Sequence, residues 1–102
     1  MARLRYSAAA RKDIAEIYNY IRERSGSGAV ALRFVKQLRA KCSELANAPM
    51  QMGRQRFELR SGLRSHPYGN YVIYFHYVRG ALEVVDILEG HRDVGAFFSD
   101  AE

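Results

Sequence analysis

The sequence predicts a two-layer α+β fold. It has an N-terminal strand, an antiparallel hairpin of two helices, a small twisted and mainly antiparallel sheet, and a short C-terminal helix. Three observations predict it. Apolar residues recur at helical spacing across residues 8–47, the period changes to alternation from Arg54 onward, and Gly, Ser and Pro punctuate the boundaries. A helical hairpin carries an apolar stripe that must cover something, and a small sheet supplies one face. All 102 residues are expected to form one domain.

Arg3–Tyr6 reads as a short opening strand, followed by Ser7 as an N-cap hydroxyl. Ala10, Ile14, Ile17 and Ile21, with Tyr18 beside them, mark one face of a helix over about residues 8–24. Ser25-Gly26-Ser27-Gly28 breaks it. A second helix over about residues 28–47 carries Ala31, Phe34, Val35, Leu38, Cys42 and Leu45 as its stripe, and Asn47-Ala48-Pro49 stops it. So short a connection forces the helices to pack antiparallel.

Residues 50–53 read as loop. From Arg54, the positions Arg54, Arg56 and Glu58 alternate with Gln55, Phe57 and Leu59, as in a strand. Ser61-Gly62 and Gly69-Asn70 are turn signals flanking an extended stretch over residues 63–67. Tyr71–Val78 is a strong strand, Arg79-Gly80 a two-residue hairpin turn, and Ala81–Glu89 the partner strand. Residues 93–98 are expected as a closing helix.

The strand YVIYFHYV is aromatic on both faces, which raises the possibility of a base-stacking platform. The RNA-recognition signature K/R-G-F/Y-G/A-F-V-x-F/Y fails at its head, because Pro67, Tyr68 and Gly69 stand at its first three positions. A strand apolar on both faces sits centrally, with helices on one side and partial cover on the other. Its aromatics are therefore expected as core.

Net charge is +5 and most of it is arginine, with lysine only at Lys12, Lys36 and Lys41. Guanidinium forks match carboxylates and phosphates, so a polyanionic partner is expected. No apolar run reaches the roughly 18 residues that span a bilayer, and the polar N-terminus does not read as a signal peptide. A cytoplasmic location, with no membrane partner, is the expectation. The single cysteine, Cys42, excludes an internal disulfide and reads as a buried thiol on the second helix. His66 and His76 lack partners at ligand spacing, so neither metal nor cofactor is expected.

The helical hairpin followed by FELRSGLRSHPYGNYVIYFHYVRGALEVVDILEGHRD resembles the ParE branch of the RelE/ParE toxin superfamily over nearly the whole chain. Leu63-Arg64, the Tyr71 strand, Leu82-Glu83-Val84-Val85 and Gly90-His91-Arg92-Asp93 carry the resemblance. It implies the toxin of a bacterial type II toxin–antitoxin pair, inhibiting growth, with a role in plasmid maintenance. It also implies a cognate acidic, ParD-like antitoxin, through which any higher assembly forms. Sequence-specific DNA binding by this chain itself is not expected. In the ParE branch the implied target is DNA gyrase, bound without catalysis. In the RelE branch it is mRNA cut on the ribosome.

RelE-like relatives carry an arginine early on the strand after the Gly-x pair, where this chain has Tyr71, and a closing tyrosine, where it has Phe97. Both departures favour binding over cleavage. Under the ribonuclease alternative the candidates are His91, Arg92 and Arg64. The candidates for contact with antitoxin or target are Tyr18, Tyr20, Arg54, Arg56, Arg60, Arg64 and Arg92.

Overall fold

A computed structural model describes residues 2–99 in the order β1 (Arg3–Tyr6), α1 (Ala8–Ser25), α2 (Gly28–Asn47), β2 (Arg54–Gln55), β3 (Arg64–Tyr68), β4 (Tyr71–Val78), β5 (Ala81–Glu89) and α3 (Val94–Ser99). The α1 start is fixed by Ser7, whose Oγ accepts the Ala10 N–H at 2.9 Å and donates to the Val85 carbonyl at 2.7 Å. One hydroxyl thus caps the helix and ties it to the sheet. At the other end the Gly26 amide donates to Arg22 O at 2.9 Å, and Ser27 Oγ then accepts the Val30 N–H to open α2.

The strands lie in the order β1-β5-β4-β3-β2, with β1 parallel to β5 and the other neighbours antiparallel. Arg79 (φ 51°) and Gly80 (φ 75°) both adopt the positive φ that a two-residue turn between right-twisted strands demands. β1 covers only Ala81–Val84 of β5. Beyond it α1 takes over the edge, with Asp13 Oδ2 accepting the Ile87 N–H at 3.0 Å.

A bulge separates the β4–β5 pairs Tyr74↔Asp86 and Phe75↔Val84, leaving Val85 extra. Strict alternation would turn Ile87 away from Leu82 and Val84. The bulge resets the phase, so Leu82, Val84 and Ile87 all join Ile73 and Phe75 beneath the helices. There they meet Ala10, Ile14 and Ile17 of α1 and Val35, Leu38 and Cys42 of α2. Gly53 (φ 83°) lets the loop lie on this core, since a Cβ there would stand 2.6 Å from Phe75 Cζ.

The opposite face carries a second, smaller cluster of Leu63, Tyr74, Leu88 and Phe98, flanked by Leu59, Val72 and Phe97. Its cover is α3 and the turn before β3. This corrects the expected strand over residues 54–59. Only Arg54–Gln55 pairs with β3, after which Arg56 O accepts the amides of Leu59 and Arg60 at 3.0 and 3.2 Å. The turn wins because it brings Leu59 and Leu63 down together on the sheet. The alternation there is incidental: Phe57, on its supposed inner side, is 76% exposed.

Candidate functional site

The face opposite the helical hairpin gathers most of the candidate arginines. Cross-strand register places Arg54, Ser65, Tyr74 and Asp86 in one row across it. Three aromatic rings form a contiguous floor, with centroids 5.1 Å apart for Tyr74–Phe98 and 5.2 Å for Phe98–Phe97. Each ring carries a guanidinium: Arg56 at 5.8 Å from Tyr74, Arg60 at 5.1 Å from Phe98 and Arg92 at 4.8 Å from Phe97. Arg56 also donates to Glu58 Oε2 at 2.7 Å and Ser65 Oγ at 3.3 Å. These contacts hold the Glu58 carboxyl below its usual range, Arg56 contributing most and Arg54 adding to it. Arg54, Arg56, Arg60 and Arg92 therefore act on one surface.

Arg64 does not join them. Its guanidinium lies on the helix-facing side, 5.8 Å over the Tyr77 ring, donating to Met52 O and Gln51 Oε1 at 3.1 Å each. It fastens the loop over residues 50–53. Tyr18 packs on the helix-side core, so it too serves structure. Tyr20 is 53% exposed and lines a groove of about 460 Å³ with Asp13, Glu16, Tyr71, Ile87 and Arg92. Tyr71 itself leans on Phe34, with centroids 5.8 Å apart.

His91 adjoins Arg92 in the chain. His91 is exposed, with Nδ1 2.7 Å from Glu89 Oε2, and that hydrogen bond raises its pKa. His76 pairs with Glu83 at 2.8 Å, and burial lowers the pKa of His66. Cys42 is fully buried, and burial raises its thiol above the usual range, leaving it inert. Among the described residues no group of three or more His, Cys, Asp and Glu side chains is arranged to hold a metal ion.

One buried acid was not legible as a site residue. Asp86 is 6% exposed and its carboxyl is pushed up to about 7, first by burial and then by hydrogen bonding to Asp13 and that residue's charge. Asp13 is already accepting the Ile87 N–H, so Asp86 is the partner that holds the proton. Arg60 and Arg92 pull it back down. Nothing in the spacing of residues 13 and 86 could have paired them.

This chain matches, over residues 4–94, the family described as ParE toxin of type II toxin–antitoxin system, parDE. The chain belongs to the ParE toxin family. Among solved structures, this ParE-family chain is similar to one from "Chromosomal ParDE TA system from P. aeruginosa", with TM-score 0.75 and 18% identity, covering 87% of this chain and 96% of that one. At that identity the likeness establishes the fold. A search of curated proteins returns no match. As a ParE-type toxin the chain is one half of a pair, which implies an antitoxin partner. Among the described residues, no helix is long and apolar enough to cross a membrane.

Proposed function

We propose that this ParE-type chain inhibits DNA gyrase by direct binding and is neutralised by an acidic, ParD-like antitoxin. The observation that carries the reading is the chemistry around Arg56, Arg60 and Arg92. Cutting RNA requires groups that move the 2′-hydroxyl proton and protonate the leaving oxygen, besides cations that stabilise the phosphate. The ring under Arg92 is Phe97, which has no hydroxyl. Tyr74, under Arg56, is 2% exposed. Arginines placed in this way are suited to binding anions, and the rings beneath Arg56 and Arg92 give them no accessible hydroxyl to move a proton. The net charge of +5 suits an acidic antitoxin segment.

Purified chain added to gyrase tests the reading. Supercoiling should fall and cleavage complexes should accumulate or turnover should stall, and addition of the antitoxin should reverse it. Unaffected supercoiling at excess toxin would sink it. A ribosome-dependent endonuclease is the second reading, favoured by the Glu89-raised pKa of His91 beside Arg92. It requires transcripts cut on translating ribosomes, and loss of cutting in His91→Ala or Arg92→Ala.

A further inference from the structure

We propose that the sheet face opposite the helical hairpin binds the phosphodiester backbone of nucleic acid, without reading sequence and without cleaving it, through Arg54, Arg56, Arg60 and Arg92.

The first reason is the geometry of the charges. Basic residues elsewhere are spread along exposed helix faces, as with Arg33 and Lys36 of α2, or sit singly on a ring, as with Arg24 on Tyr20, Arg39 on Tyr6 and Arg64 on Tyr77. On this face three are pinned side by side. Tyr74, Phe98 and Phe97 stand in an unbroken series of ring contacts at 5.1 and 5.2 Å, and each holds one guanidinium at 4.8–5.8 Å. Arg54 belongs to the same group, since its charge is felt by Glu58, the partner of Arg56. Holding like charges together opposes folding unless an anion repays the repulsion. Within the fold some counter-charge is present, since Arg92 borders a groove that also holds Asp13, Glu16 and Glu89. Glu58 engages Arg56, and Asp86, which feels Arg60 and Arg92, gives up much of its own charge by sharing a proton with Asp13.

The second reason is what the face lacks. Stable protein–protein contacts centre on an apolar core. Here two of the three rings are sealed under the arginines, Tyr74 at 2% and Phe98 at 1% exposure, and Phe97 is half-buried under Arg92, so the surface offers mainly guanidinium N–H groups. That is the composition of a nucleic-acid interface, and the acidic antitoxin segment proposed above is the competitor that poly-glutamate stands for in the test. Most exposed apolar side chains lie elsewhere, on α1 and α2 at Tyr20, Val30 and Leu32 and in the loop at Met50 and Met52; Phe57, 76% exposed, lies in the turn between Arg56 and Arg60 but lines a pocket with Arg64 and Tyr77. The sealed Tyr74 and Phe98 rings cannot stack on bases, which favours contact through phosphates over sequence readout. The rings under Arg56 and Arg92 offer no accessible hydroxyl for cleavage, and His91, next to Arg92, is what the intact-RNA outcome tests.

The proposal stands apart from the gyrase reading, because it concerns purified chain and naked nucleic acid. Fluorescence anisotropy with labelled duplex DNA, single-stranded DNA and single-stranded RNA, over a salt series, tests it. With about three phosphates neutralised, log K should fall with log salt at a slope of about −2.7 on duplex and about −2 on single strands. Arg60→Gln and Arg92→Gln should each reduce that slope by about one and weaken all sequences equally, whereas Arg60→Lys should keep the slope. Arg33→Gln, on the far side, should change nothing. Circular dichroism melts would confirm that the variants fold. The RNA should remain full length on a gel. The proposal is overturned by absence of binding at low salt, by an Arg33→Gln effect equal to that of Arg60→Gln, by cut RNA, or by poly-glutamate of equal charge binding more tightly than DNA.

Discussion

The two faces of the sheet are covered by the same kinds of side chain and end up with opposite characters. On the helix side, Ile73, Phe75, Leu82, Val84 and Ile87 meet two long amphipathic helices, and apolar contact closes the layer. On the other side, Tyr74, Leu63, Leu88 and Phe98 meet only a six-residue helix and a turn, and arginines cap the rings. The first face is finished by the chain itself. The second is finished by charge, which leaves it able to engage something else. Cover length decides this. Helices of 18 and 20 residues can seal a face, whereas α3 cannot.

Breaking the sealed face should have the largest effect. Phe75 is fully buried between the loop at Gly53 and the helices. Phe75→Ala should cost about 3–5 kcal/mol, read from the shift in urea midpoint at unchanged slope. The capped face should be more forgiving. Phe98→Ala removes the central ring of the arginine floor, yet α3 can settle or undock locally. A loss of about 2 kcal/mol is expected, with hydrogen exchange rising in α3 before the rest of the chain. If Phe98→Ala proved as costly as Phe75→Ala, the contrast between the faces would fail.

Smaller still is Ser7→Ala, which removes both the α1 cap and the tie to Val85 O. About 1–2 kcal/mol is expected, in the same denaturation measurement. The smallest effect near neutral pH should come from the seam between the faces, at Asp13 and Asp86. The Asp86 carboxyl sits at about 7 in the folded chain against an ordinary value of 3.8. Its held proton therefore adds stability that is complete below about 3.8 and lost as pH rises through about 7. Asp86→Asn should flatten that part of the pH–stability curve, and the difference between variant and parent isolates it from His91, whose raised pKa acts in a neighbouring window. An unchanged slope between pH 4 and 7 would mean that Asp86 carries no shared proton.

The helices were legible because their signals are local. Ser7, Ser25-Gly26-Ser27 and the stripe from Ala31 to Leu45 lie within a few residues of the groups they satisfy. The hairpin at Arg79-Gly80 was legible for the same reason. The alternation at residues 54–59 misled because a short polar and apolar alternation costs nothing to write in a turn. Leu59 and Leu63 then found the sheet from outside any strand. Of the candidate site, Arg54, Arg56, Arg60 and Arg92 were visible as residue types, and Arg64 looked the same as they did. One residue of register sends Arg64 to the Tyr77 side of the sheet and Ser65 to the side of Tyr74.

By itself the sequence determined the order of elements, the helical hairpin, the central aromatic strand, the positive charge and the family pattern, all of which depend on neighbours in the chain. Only the tertiary structure decided which arginines share a surface, that Phe97 and Phe98 serve as the floor for two of them, and that Asp86 is buried near Asp13, which helps push its carboxyl up. Those contacts join residues 38 and 73 positions apart, for Arg60–Phe98 and Asp13–Asp86, and are set by sheet register, a bulge and the docking of α3. Periodicity carries information over a few turns of chain, and the closing of a sheet is where distant side chains acquire their partners.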